Sequence, residues 1–199
     1  MKNLPLATRS LFAPVLAAAL TATAAASTIV GDPGHSSAQF SVKHLAITTV
    51  TGTIPVLSWS ATANAALIPD AIVATLDAKN IDTKNPDRDK DLRGSSWFNV
   101  DKYPTIAFKS TKIVAGPNNT FKATGGLTIN GITKAETLDG TFEGSAVDGY
   151  GNKRAGFSAT ATIDRRDFGL NFGATTPGGA LVVSNDVTLT IEAEGIVKN

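Results

Sequence analysis

Val187-Thr188-Leu189-Thr190-Ile191-Glu192-Ala193-Glu194 alternates between apolar and polar side chains at every position. This period of two places the apolar set on one face of a β-strand and the polar set on the other. The same alternation occurs in 38–43, in 72–77 and at Ile106 and Phe108. The chain therefore contains several strands that bury one face and expose the other.

Turn sequences separate these strands at the spacing that hairpins require. Asn130-Gly131 lies between two β-rich segments and is typical of a two-residue hairpin turn. Further turns are expected at Gly116-Pro117-Asn118-Asn119 and at Asp148-Gly149-Tyr150-Gly151-Asn152. About eight strands joined in this way predict an all-β fold, either an antiparallel barrel or a sandwich.

One segment departs from the β pattern. Asn85-Pro86-Asp87-Arg88-Asp89-Lys90-Asp91-Leu92-Arg93-Gly94 predicts a short helix near 86–93. Asn85 can cap the first turn, Pro86 suits the first helical position, and Gly94 suits the end. We interpret the charges of this segment as a solvated helix face with local ion pairs.

The first 26 residues have the pattern of a cleaved secretory signal peptide. A positive start at Lys2 and Arg9 precedes an apolar run over 11–20, and small residues follow. The run is about half the length that a membrane-spanning helix needs. We therefore predict that 1–26 is removed, that 27–199 forms a single domain without a transmembrane segment, and that the mature protein resides in the periplasm.

Composition excludes several classes of function. The 199 residues include 18 Lys and Arg, 17 Asp and Glu, two His and no Cys. This charge balance leaves no basic surface for nucleic acid, and the lack of cysteine excludes disulfides and thiol chemistry. No glycine-rich phosphate loop, G-x-S-x-G or H-E-x-x-H motif occurs. We predict neither an enzyme nor a metal site, and no cofactor.

The two histidines are nine residues apart, at His35 and His44. On one regular strand they would point to opposite faces and could not share a metal, although a bulge or a strand that starts after His35 would remove this parity. His44 shares the phase of Phe40 and Val42, so it is predicted to face the interior. It is either a core histidine satisfied by a hydrogen bond or a polar contact in a ligand cavity.

Two further features stay ambiguous at the level of sequence. Arg165-Arg166-Asp167 is interpreted as a loop salt bridge rather than a site. The interior of an eight-stranded barrel is either packed with side chains or hollow enough for one small ligand. Because each buried methylene contributes roughly 0.8 kcal/mol, a long alkyl or prenyl chain could bind in a hollow barrel without any catalytic group.

A series of blocks occurs in order over nearly all of 30–195. They include Asp32-Pro33-Gly34-His35-Ser36, Phe40-Ser41-Val42-Lys43-His44-Leu45, Arg88-Asp89, Leu92-Arg93, Trp97-Phe98-Asn99-Val100, Tyr103-Pro104-Thr105-Ile106-Ala107-Phe108-Lys109-Ser110 and Arg165-Arg166-Asp167-Phe168-Gly169-Leu170. The ordered set resembles the YceI-like family of exported polyisoprenoid-binding proteins. The resemblance implies a lipocalin-like antiparallel β-barrel whose lumen holds an isoprenoid chain.

Two positions depart from the family pattern. Asp91 stands where the family usually has histidine, and Trp97-Phe98 stands where it usually has Phe-Phe. If the family's histidine holds a ligand headgroup, Asp91 would repel a pyrophosphate at that position.

We therefore expect a periplasmic or secreted carrier for an isoprenoid-type lipid, polyprenyl or quinone-like. The alternatives are a stress-linked interaction protein with a filled barrel and no lipid, or an uncharacterised hydrolase. A homodimer is compatible with the sequence. Strand phase predicts the lumen residues, and Trp97 and Phe98 are expected near the mouth or beneath the helix. The candidate ligand-binding residues are Phe40, Val42, His44, Trp97, Phe98, Ile106, Phe108, Leu189 and Ile191.

Overall fold

The computed structural model describes residues 26–198, so the predicted signal peptide lies outside the described residues except for Ala26. The described part contains ten β-strands, one α-helix and three short 3-10 turns. The strands are β1 (Ser27–Gly31), β2 (Ser37–His44), β3 (Thr48–Ile54), β4 (Val56–Ala63), β5 (Pro69–Asp77), β6 (Thr105–Ala115), β7 (Thr120–Ile129), β8 (Ile132–Val147), β9 (Lys153–Asp164) and β10 (Val183–Lys198). The helix α1 spans Pro86–Arg93.

The strands form one closed antiparallel barrel. From β4 to β10 each strand pairs with the next, and β10 then pairs with both β1 and β2. The pairs β1–β4 and β2–β3 close the barrel. β1 and β2 lie end to end along one edge of β10, where Gly31 faces Gly195 and Ser37 faces Glu192. β3 and β4 are separated only by Pro55. β1 with β2, and β3 with β4, therefore each act as one interrupted strand, and the barrel has eight strands. This confirms the predicted barrel and not the sandwich.

The first of these interruptions is a 3-10 turn at Pro33–His35. The Asp32 side chain caps this turn by accepting a hydrogen bond from the Gly34 backbone N–H at 3.0 Å. His35 therefore lies outside the regular strand that carries His44, and strand parity does not relate the two histidines.

The predicted helix and hairpin turn are both confirmed. The Asn85 side chain accepts a hydrogen bond from the Arg88 backbone N–H at 3.0 Å, Pro86 opens α1, and the helix ends before Gly94. Asn130 and Gly131 have φ values of 50° and 73°, as a tight β-hairpin turn with both central residues left-handed requires.

The connections alternate between two ends of the barrel. What we call the helix end carries the β2–β3 hairpin, the segment 78–104 with α1, the β7–β8 hairpin and the loop 165–182. What we call the turn end carries the β4–β5, β6–β7 and β8–β9 turns. Within residues 26–198, the only α-helix is too short and too polar to cross a bilayer.

Candidate functional site

The barrel encloses a cavity of about 540 Å³ whose wall is almost entirely apolar. A volume of this size falls within the range of small-molecule sites in proteins. The inward side chains Val42, Val187 and Leu189 are only half-buried, because they border this cavity and not a packed core. The lumen is therefore hollow, which answers the question that strand alternation left open.

All nine residues that strand phase and sequence position identified as ligand candidates line this cavity. They are Phe40, Val42, His44, Trp97, Phe98, Ile106, Phe108, Leu189 and Ile191. β2 and β10 are neighbours in the barrel, where Phe40 faces Leu189 directly, whereas β6, which carries Ile106 and Phe108, pairs with β5 and β7. Trp97 and Phe98 follow α1 and complete the wall at the helix end. Their contact with a ligand stays a prediction.

Four aromatic rings form a cluster toward the turn end. Phe157 lies at its centre, with ring centroids 6.0 Å from Trp59, 6.5 Å from Phe121 and 5.5 Å from Phe142. The indole N–H of Trp59 donates a hydrogen bond to Ser36 Oγ at 3.0 Å. This cluster closes the cavity on that side, since Trp59, Phe121 and Phe157 also line it.

None of these four rings was predicted from the sequence. Two of them, Phe121 and Trp59, lie against glycines that leave room for a ring. Phe121 faces Gly140 on the next strand, where an added Cβ would come within 2.3 Å of the ring. Trp59 lies against Gly31 in the same way, because a Cβ added at Gly31 would come within 2.3 Å of the indole ring. A glycine opposite an aromatic residue is a usable signal only once the register of the strands is known.

Helix α1 turns one face toward the cavity. Arg88, Asp91 and Leu92 line the cavity at positions i, i+3 and i+4, which share one side of a helix. The Asp91 carboxylate is solvent-exposed, and Arg88 is half-buried. The cavity wall at the helix end therefore combines apolar surface with one acid and one base.

The helix is anchored through Asp89, whose side chain is buried. Its Oδ1 accepts hydrogen bonds from the Thr83 backbone N–H at 2.8 Å and from the Thr83 hydroxyl at 2.5 Å. Burial opposes ionisation of Asp89, but these hydrogen bonds and the nearby positive charges of Arg93 and Arg88 together lower the pKa of the carboxyl below its ordinary value. The prediction of a solvated helix face is therefore wrong for Asp89, because its carboxylate is buried and binds Thr83 in the segment before the helix.

Arg165 also lies in the cavity wall and is only 3% exposed. Its guanidinium donates hydrogen bonds to the carbonyls of Ser184, at 2.9 Å, Phe172, at 2.7 Å, and Leu170. The guanidinium lies 5.7 Å from the centroid of the Trp97 ring. Burial lowers the pKa of Arg165 from its ordinary value.

The expected loop salt bridge forms at the neighbouring residue. Arg166 Nη2 lies 2.5 Å from Asp164 Oδ2, so Asp164 and not Asp167 is its partner. Arg165 makes no ion pair among the described residues and instead ties the loop 169–182 to the barrel through carbonyl acceptors. The two adjacent arginines therefore have different roles.

The histidines lie in separate environments. His44 borders the cavity and its ring makes no hydrogen bond to any of residues 26–198, which favours the cavity interpretation over a satisfied core histidine. His35 is exposed, and its Nδ1 lies 2.9 Å from Asp32 Oδ2. Ligand atoms of Asp32, His35 and Glu194 lie within 4.8 Å of one another, but the Arg154 guanidinium already donates to both carboxylates.

A closed eight-stranded antiparallel barrel with a hollow apolar lumen places the protein in the class of β-barrels that have an interior cavity. A profile of the YceI-like domain matches residues 30–195. The chain belongs to the YceI-like family, as the ordered sequence blocks predicted.

Three similar proteins illustrate this membership. A UPF0312 protein of Pseudomonas aeruginosa is 34% identical over 163 residues, covering 81% of this chain and 82% of the relative. The YCEI protein of Campylobacter jejuni superposes with a TM-score of 0.65 at 31% identity, covering 79% of this chain and 90% of that one. A polyisoprenoid binding domain from Saccharophagus degradans, implicated in plant cell wall breakdown, has a TM-score of 0.62. At 14% identity, with 85% of this chain and 98% of that one covered, it shares the fold.

Proposed function

We propose that this protein binds one long apolar ligand of the isoprenoid type in the barrel lumen. The observation that carries this proposal is the hollow apolar cavity of about 540 Å³. Removal of apolar surface from water contributes roughly 25 cal/mol per Å². A wall of this composition therefore provides affinity for a hydrocarbon chain without a charged contact.

The shape of the cavity supports a chain-like ligand. Its wall includes Phe121 near the turn end and Trp97 at the helix end, so the cavity extends along the barrel axis. The polar groups His44, Arg88 and Asp91 lie toward the helix end, where a headgroup would contact them. The description of the Saccharophagus degradans domain as polyisoprenoid binding supports the isoprenoid class.

We extend the proposal to a periplasmic carrier that is not an enzyme. The signal-peptide pattern in 1–26 supports export, although it lies outside the described residues. A lipid that crosses an aqueous compartment needs a protein that covers its apolar chain. The hydrolase alternative has no geometric support at Asp89, whose carboxylate is bound to Thr83. The filled-barrel alternative does not fit the cavity.

The decisive experiment is mass spectrometry of an organic extract from protein purified out of its native periplasm. We expect a stoichiometric prenyl lipid, because the apolar cavity would retain it through purification. The same extract from an unrelated periplasmic protein, prepared in parallel, measures carry-over. A clean extract from well-folded protein would contradict the carrier proposal.

A further inference from the structure

The helix end of the barrel carries an exposed apolar hairpin tip. Ile47, between β2 and β3, is 78% exposed, the largest exposure of any large aliphatic side chain among residues 26–198. Leu45 and Ala46 precede it, and their φ values of 53° and 61° lie in the left-handed region. We call residues 45–47 the apolar tip.

The composition of this tip differs from that of the other hairpin turns. The β6–β7 and β7–β8 turns place Asn118, Asn119 and Asn130 at positive φ, and asparagine tolerates this conformation best after glycine. Leucine and alanine occupy such positions in the apolar tip. Packing within residues 26–198 does not explain why an apolar side chain occupies position 47, because Ile47 contacts mainly solvent.

The apolar tip lies beside the cavity. The Leu45 backbone N–H donates a hydrogen bond to the Val182 carbonyl at 2.9 Å, and Val182 lines the cavity. Phe172, from the same loop as Val182, lines the cavity and is 41% exposed. His44, directly before the tip, also lines the cavity. Val182 and His44 therefore connect the apolar tip to the lumen, and Phe172 exposes further apolar surface at the same end of the barrel.

One edge of β3 has no paired strand next to this surface. β3 pairs with β2 along one edge, while its other edge makes only the Thr53–Asp82 bridge within residues 26–198. Two backbone hydrogen bonds of 2.8 and 3.0 Å form that bridge. Between the bridge and the apolar tip no strand of residues 26–198 pairs with this edge of β3, and side chains of the segment 78–104 complete the cavity wall there instead.

We propose that the apolar tip and Phe172 dock the helix end of the barrel on a phospholipid bilayer, where the ligand enters and leaves. This inference rests on the proposed function, because it assigns the place of ligand exchange. A bilayer is the occupant that fits best, since it dissolves the same apolar chain that the lumen accepts. A second copy of the protein on this surface would separate the helix end of the lumen from that source of ligand.

The test compares two glutamate variants in a sedimentation assay with phosphatidylethanolamine–phosphatidylglycerol vesicles. Ile47→Glu alters the apolar tip, and Val147→Glu is the matched control, because Val147 is 70% exposed at the turn end. We expect Ile47→Glu to weaken vesicle binding by about tenfold or more, since it removes an inserted aliphatic side chain. Val147→Glu should bind like the parent protein, and 0.5 M salt should have little effect on vesicle binding by the parent protein, because the apolar tip carries no charge.

A second measurement separates docking from ligand binding. Both variants should bind the fluorescent probe dansyl-undecanoate like the parent protein in buffer without vesicles. A parent protein that binds the probe but not vesicles would overturn the docking inference alone, as would equal losses in the two variants. Failure of the parent protein to bind the probe would contradict the lumen proposal instead. If Ile47→Glu converts a dimer to a monomer in light scattering, the tip is a subunit interface and the bilayer inference is wrong.

Discussion

At the scale of single residues, Phe108 gives the most direct test of the lumen. Its side chain is buried on the cavity wall, so Phe108→Trp adds volume where the ligand would lie. We expect retained lipid to fall roughly five- to thirtyfold, because overpacking of this kind costs about 1–2 kcal/mol. The measurement is extracted lipid per mole of folded protein. Lys109→Trp, on the outward face of the same strand, is the control. Unchanged retention of lipid in Phe108→Trp would show that Phe108 is not part of the ligand site.

A second residue tests how the helix is held. Asp89→Ala leaves two buried donors of Thr83 without their acceptor. We expect the free energy of unfolding to fall by about 2–4 kcal/mol. Urea denaturation at neutral pH measures the loss, and the exposed Asp87→Ala, which removes a first-turn charge from the same helix, should cost less than about 1 kcal/mol. Equal stability of the two variants would show that Thr83 finds another partner.

At the scale of elements, the sequence predicts the strands, helices and turns that depend on residues close together in the chain. β10, α1 and the Asn130-Gly131 turn were predicted because alternation, capping residues and turn residues each act within a few positions. Contacts between distant elements could not be predicted. Phe121 meets Gly140 only through barrel register, and Arg165 meets the Phe172 carbonyl only after the loop folds back. Nothing in the local sequence distinguishes Arg165 from Arg166.

The loop 169–182 provides the prediction at this scale. Arg165→Lys keeps the charge but replaces a planar group of five donors with one ammonium that cannot reach the same carbonyls. We expect a loss of at least about 2 kcal/mol in unfolding free energy. Amide hydrogen exchange within the loop should accelerate more than exchange in β7. Arg166→Lys, at the exposed neighbouring arginine, should change neither quantity by much.

At the scale of the whole molecule, both ends of the barrel are packed around the central cavity. The aromatic cluster around Phe157 packs at the turn end, together with the fully buried Ile29. At the helix end, Phe168 and Ile81 are almost completely buried, and polar anchors such as Arg165 hold the connecting segments. Strand phase cannot reveal the cavity, because inward side chains alternate identically whether they pack together or border a cavity.

The turn end also carries a group of carboxylates whose contribution to stability depends on pH. Arg154 donates hydrogen bonds to Asp32 at 2.9 Å, Asp148 at 2.8 Å and Glu194 at 2.6 Å, joining three separate parts of the chain. This guanidinium, together with the hydrogen bond from His35, lowers the pKa of Asp32 to about 2. It also holds the pKa of Asp148 well below its ordinary value.

Carboxyls with a depressed folded-state pKa stabilise the fold above their unfolded pKa, near 3.8, and lose that contribution as pH falls through the folded value. We therefore expect unfolding free energy, measured by urea denaturation, to decline between about pH 4 and pH 2. Arg154→Gln should flatten this decline more than Arg166→Gln, because Arg166 is more exposed than Arg154. A slope unchanged in Arg154→Gln would place the acid sensitivity outside this network.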